Sequence, residues 1–129
     1  MMRVIICGSR SWNKIDVIAK VVEKLPDDAV VIEGESRGAD LIARACAEER
    51  GLQVIPFPAD WEKEKKSAGA RRNKRMLEEG EANLVIAFID TNVKSPGTHN
   101  MIEIAESYGV RVVKIEMSCD EQSNSADVE

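Results

Sequence analysis

Five short apolar runs recur along the chain, each separated from the next by a stretch of helical periodicity, and this alternation leaves few folds open. The runs occupy residues 4–7, 29–32, 54–57, 84–89 and 110–115. Between the first two, Ile15, Ile18, Ala19, Val22 and Leu25 recur at helical spacing until Pro26-Asp27-Asp28 breaks the pattern. Ala39, Ile42, Ala43 and Cys46 mark a second helix closed by Gly51, and a third is expected from about Ala68. Met101, Ile104, Ala105 and Tyr108 stripe a fourth, closed by Gly109. Such an order calls for parallel strands joined by right-handed crossovers. Near-continuous apolar strands fit a sheet covered by helices on both faces. The expectation is a Rossmann-like, three-layer α/β fold with a five-stranded parallel sheet in the order 3-2-1-4-5. Ligands in such sheets bind at the carboxyl ends of the strands, beside the point where strand order reverses.

The 129 residues fit one domain, expected over residues 1–117. Residues 118–129 are acidic, serine-containing and poor in apolar side chains, and are expected to form a disordered tail. No run approaches the roughly 18 apolar residues that a membrane span needs, and Met1–Gly8 lacks a cleavage pattern, so a cytoplasmic protein is expected. Cys7, Cys46 and Cys119 are far apart, odd in number and without a histidine cluster, which speaks against a disulfide frame or a metal site. His99 is the only histidine and is expected at the surface or rim. The net charge of −5 argues against broad electrostatic binding of nucleic acid.

Four polar segments fall at the carboxyl edge of that sheet. The first is Gly8-Ser9-Arg10-Ser11-Trp12, where glycine permits close backbone approach and Arg10 suits a phosphate. Trp12 is placed to stack on a base or to pack on the helix it precedes. The second runs from Glu33 through Gly34, Glu35, Ser36, Arg37, Gly38 and Ala39 to Asp40. Ser36 is expected to cap a helix whose free amides suit an anion, while Glu33, Glu35 and Asp40 would grip sugar hydroxyls or Arg10. In the third, Ala70, Asn73, Leu77 and Gly80 share a helical face, so Asn73 points inward. There it either ties down backbone or reads a ligand. Most of the basic residues between Lys63 and Arg75 read as a solvated face, with Arg72 the exception beside Asn73. The fourth runs from Asp90 to Met101 and contains Ser95-Pro96-Gly97-Thr98, with Ser95 or Thr98 as a helix cap and Gly97-Thr98 as the best phosphate site in the chain. No dinucleotide GxGxxG or Walker loop is present.

With Pro58-Ala59-Asp60-Trp61 and the stretch Ala70-Arg71-Arg72-Asn73-Lys74-Arg75-Met76, these segments make residues 2–116 resemble the SLOG superfamily, in its small YspA-type, YpsA-related branch. The resemblance implies a Rossmann-like domain associated with nucleotides and nucleotide-derived signals. Members include cytokinin-activating phosphoribohydrolases, antiviral sensor domains for NAD-derived signals and a DNA-uptake protein that binds single strands. It also implies a homo-oligomer, most simply a dimer. The phosphoribohydrolase members carry Pro-Gly-Gly-x-Gly-Thr followed closely by a catalytic Glu. Here that acid position falls at Asn100 or Met101, and Glu103 lies further along.

The function expected is binding or sensing of a nucleotide-like, phosphate-bearing small molecule, with no cofactor and no metal. Gly97-Thr98 and Gly8-Ser9-Arg10 would hold phosphate, Gly38 and Asp40 would line the sugar side, and Trp12 or Trp61 would stack on the base. An N-glycosidic phosphoribohydrolase acting on nucleoside monophosphates is the alternative, with Glu35 and Asp40 as catalytic candidates. A single-stranded nucleic-acid module is the other, resting on the basic stretch and disfavoured by net charge.

Overall fold

The computed structural model describes residues 1–119 and contains five strands. These are β1 (Arg3–Gly8), β2 (Val30–Glu33), β3 (Gln53–Pro56), β4 (Leu84–Asp90) and β5 (Arg111–Met117). They form one parallel sheet in the order β3-β2-β1-β4-β5. The principal helices are α1 (Ile15–Glu23), α2 (Ala39–Arg50), α4 (Ala68–Glu78) and α5 (Pro96–Ser107). A one-turn helix, α3 (Trp61–Glu64), and a 3-10 turn (Lys65–Ser67) lead into α4. The strand order and the α/β class match the expectation from the apolar runs.

Strand alternation divides the interior into two layers. Val4 and Ile6 of β1, Val31 of β2 and Phe88 of β4 face α1 and α2, where Ile18, Val22, Ala39, Ala43 and Ala47 close the core. Ile5, Cys7, Ile32, Val85 and Ala87 face α4 and α5, packing on Met76, Leu77, Met101, Ile102 and Ala105. Each fully buried Ile or Val of this kind stabilises by about 1.5–3 kcal/mol. The expected helical stripes deviate at their ends. Ile15 opens α1 and is 60% exposed, and Tyr108 follows the last turn of α5, where its hydroxyl donates to Glu78 Oε2. On α4 Asn73 and Leu77 are buried, while Ala70 is exposed.

The expected tail, residues 118–129, lies outside the described residues except for its first two. Packing extends past residue 117: Cys119 is buried on the α1/α2 side and its amide donates to Asp90 Oδ1 at 3.1 Å. No helix among the described residues is long and apolar enough to cross a membrane.

Candidate functional site: a crevice where the strand order reverses

The order in which the parallel strands are laid down reverses between β1 and β4. From there the chain leaves toward α1 on one face and toward α5 on the other. A crevice of about 730 Å³ opens between these departures, lined by the β1–α1, β2–α2 and β4–α5 connections and by α4. All four polar segments contribute to it.

Ser9 joins three of the connections. Its Oγ lies 2.5 Å from Ser95 Oγ and accepts from the Asp90 amide at 2.9 Å. Its carbonyl accepts from the amides of Trp12 and Ala39. Asp90 organises the other wall: Oδ2 accepts from the Ser11 hydroxyl, and Oδ1 from the amides of Asn92 and Cys119. Burial alone would raise the Asp90 carboxyl, but these hydrogen bonds outweigh it and hold the group below its usual value.

The opposite wall is built around Asp40 and Arg72. Asp40 Oδ2 accepts from the amides of Gly34, at 3.1 Å, and Ser36, at 3.4 Å, folding the β2–α2 loop back over the start of α2. Burial raises the Asp40 carboxyl to about 6 against the opposing pull of Arg72, the two amides and Arg10. Arg72 is 8% exposed; its Nη1 donates to the Gly34 carbonyl and its Nε to Asn73 Oδ1. A methyl on Gly34 would meet that guanidinium at 2.6 Å, so glycine there makes room for the cation. Burial, together with Arg10, lowers the Arg72 guanidinium from its usual value while Asp40 raises it, and an arginine stays charged throughout. Asn73 passes the arrangement on to α5, donating to the Gly97 carbonyl at 3.1 Å and to Asn100 Oδ1 at 3.0 Å. Of its two expected roles, the backbone tie is the one the hydrogen bonds describe.

The crevice brings together Gly8, Ser9, Arg10, Ser36, Arg37, Asp40, Arg72, Asn73, Ser95, Gly97 and Thr98. Gly34 and Glu35 line a smaller concavity beside it. Three expectations need correction. Trp12 is 2% exposed, packs edge-on against Phe88 and donates from Nε1 to the Lys14 carbonyl, so it is a core residue and stacks on no base. Ser36 does not cap α2: the cap position is Gly38, at φ +83°, and the loop amides are taken by Asp40 instead. Ser95 stands at the cap position of α5 but makes no cap bond, because its hydroxyl is engaged by Ser9. Gly38 supports the wall, since a methyl there would strike the carbonyl oxygens of Ser9 and Arg10 at 2.5 Å.

Asp90, Ser11 and Lys94 lie within the polar segments but receive no individual role from the sequence, although all three shape or line the crevice. An aspartate closing an apolar strand beside a switch point was the available signal for Asp90. Glu33 is fully buried with Oε1 accepting from the Glu35 amide, and Glu35 pairs with Arg44 at 3.1 Å. Neither carboxylate lines the main crevice, which leaves Asp40 as its one acidic side chain among the described residues. Among the described residues no group of three or more His, Cys, Asp or Glu is placed to hold a metal ion.

A profile of the YspA, cpYpsA-related SLOG family matches residues 2–63. The chain is 36% identical over 122 residues to the gene 61 protein of Mycobacterium phage D29, covering 88% of this chain and 95% of that protein. Among solved structures, DNA processing protein A (DprA) from Streptococcus pneumoniae superposes with a TM-score of 0.73 at 20% identity. That match covers 92% of this chain and 51% of DprA, so the chain spans about half the length of that protein.

Proposed function

Because the chain belongs to the YspA, cpYpsA-related SLOG family, we propose that the crevice binds a nucleotide-like ligand through its phosphate and acts as a binding or sensing site. The observation that carries this reading is a local inversion of charge. The chain has a net charge of −5, yet among the described residues Arg10, Arg37, Arg72 and Lys94 line the crevice against the single carboxylate of Asp40. The first-turn amides of α5, at Gly97 and Thr98, have no intrahelical acceptors and supply donors for an anion at the same place. Arg10 is exposed on the facing loop, and its planar guanidinium suits a phosphate held there.

Calorimetric titration with inorganic pyrophosphate and with nucleoside monophosphates tests the proposal. Arg10→Ala and Thr98→Ala are each expected to weaken binding by about 10- to 100-fold, the equivalent of one charge-assisted hydrogen bond of about 1.5–3 kcal/mol. Thermal unfolding should be unchanged. Binding equal to that of the parent in both variants would reduce these residues to turn and cap elements.

Hydrolysis is the second reading, and Asp40 is the observation that favours it: a carboxyl raised to about 6 at the crevice wall suits proton transfer. Two features count against it. Asp40 Oδ2 is committed to two backbone amides, and Asn100, where the acid would stand, has its side-chain oxygen taken by Asn73. Incubation with AMP, CMP and deoxynucleotides is expected to release no free base above a buffer control. Release that disappears in Asp40→Asn would reverse the assignment. DNA, which the name of DprA brings to mind, fits less well. Arg71 and Arg75 are paired with Glu64 at 3.8 and 3.4 Å, and the net charge is negative.

A further inference from the structure

The crevice does not end at Arg72. A second concavity of about 290 Å³ continues from it toward the connection between β3 and α3, and Arg10, Ser36, Arg37 and Arg72 line both. Ligand sites usually measure about 300–1,000 Å³, so the smaller space suits an annex better than an independent site. Its floor beyond the shared cations is Pro58, Ala59 and Trp61, with Glu35 on the rim. Trp61 is 52% exposed and stands at the start of α3, whose first turn is fixed by the Asp60 side chain accepting from the Lys63 amide. The indole makes no contribution to either core layer. It is an exposed aromatic side chain that lines the annex with three arginines, on a held backbone.

The charge pattern orders a ligand along this groove. Anionic charge belongs at the join, which Arg10, Arg37 and Arg72 all line. Past the join the annex adds no further cation among the described residues: its remaining lining is Gly34, Pro58, Ala59, Trp61 and Glu35, whose charge is taken by Arg44 at 3.1 Å. That lining suits an uncharged ring, and stacking on an aromatic side chain tolerates any base. Resting on the phosphate-binding reading above, we infer that Trp61 forms a second subsite and that the ligand carries a ring-bearing unit on each side of its phosphates, as a dinucleotide does. One unit lies in the main crevice and the other stacks on Trp61.

The two tryptophans make the test direct, since Trp12 is buried and Trp61 is exposed. Fluorescence and calorimetric titrations would compare inorganic pyrophosphate, the four ribonucleoside diphosphates and the matching symmetric dinucleoside diphosphates. The dinucleotide of at least one base is expected to bind at least tenfold more tightly than its nucleoside diphosphate and to quench Trp61. Trp61→Ala should remove that surplus, while Trp61→Phe should retain most of it. Pyrophosphate or nucleoside diphosphate binding with no surplus for any dinucleotide would overturn the subsite and leave the phosphate reading standing. Failure of every probe, pyrophosphate included, would overturn the phosphate reading and this inference with it. An oligothymidylate that binds tenfold more tightly than any dinucleotide would make the groove a nucleic-acid track, and the small-ligand subsite would fall.

Discussion

Gly8→Ala is expected to destabilise the domain by about 3 kcal/mol, at the upper end of the usual cost of overpacking, and to lower Tm by about 10 °C for a domain of this size. Gly8 closes β1 in the centre of the sheet. A methyl there would lie 2.2 Å from the Phe88 carbonyl oxygen and 2.7 Å from the Ala39 Cβ. Neither neighbour can yield cheaply. The Phe88 carbonyl accepts from the Ser9 amide at 2.9 Å, and Ala39 opens α2 against the strand. Relief would move β1 from β4 or α2 from the sheet, and either motion would open the crevice. Gly97→Ala provides the contrast. Nothing lies within 4 Å of the added methyl, and helical alanine is favoured over glycine, so stability should stay within about 1 kcal/mol of the parent. Thermal unfolding of the two variants beside the parent checks both halves. Equal shifts would mean that the close approach at Gly8 is not what the residue is there for.

Glu33→Gln should stabilise the protein above neutral pH and do nothing near pH 4.5. Glu33 is fully buried at the end of β2, and its Oε2 has no hydrogen-bond partner among the described residues. Burial raises its carboxyl to about 7; Asp40 and the Glu35 charge push the same way, and the Glu35 amide and Arg44 oppose. The folded state therefore holds a proton that the unfolded chain releases near 4.5. Stability contributed by this group is fully present below pH 4.5 and declines as pH rises to about 7. The decline is worth at most about 3 kcal/mol. Glutamine imitates the protonated acid at every pH and keeps an oxygen for the Glu35 amide. Denaturant unfolding at pH 5 and pH 8 should show a variant advantage that grows from near zero toward that ceiling. An advantage of equal size at both values would rule out titration of Glu33 as its origin.

The two glycine-rich segments show where reading the sequence was sufficient for the fold and insufficient for the site. The presence of glycine at 8, 34 and 38 was informative, but the reason differs from position to position. Gly8 admits β4 and α2, Gly34 admits the Arg72 guanidinium, and Gly38 supplies a positive φ and passes under two carbonyls. Backbone freedom is a property of the residue, whereas what approaches the backbone is decided by elements up to 80 residues away. Trp12 illustrates the same division. Its place after a strand end allowed stacking or packing, and Phe88 of β4 decided for packing.

The sequence by itself determined the α/β alternation, the parallel sheet and its strand order, and the edge at which the polar segments gather. Those follow from hydrophobic periodicity and from the limited handedness of crossovers, both written locally along the chain. Only the tertiary structure decided which polar groups line the crevice and which hold the loops. Ser9 with Ser95, Ser11 with Asp90, and Arg72 with Gly34 pair across 86, 79 and 38 residues. A side chain's hydrogen-bonding capacity is spent on whichever partner the fold brings within about 3 Å, and no local pattern encodes a partner that distant.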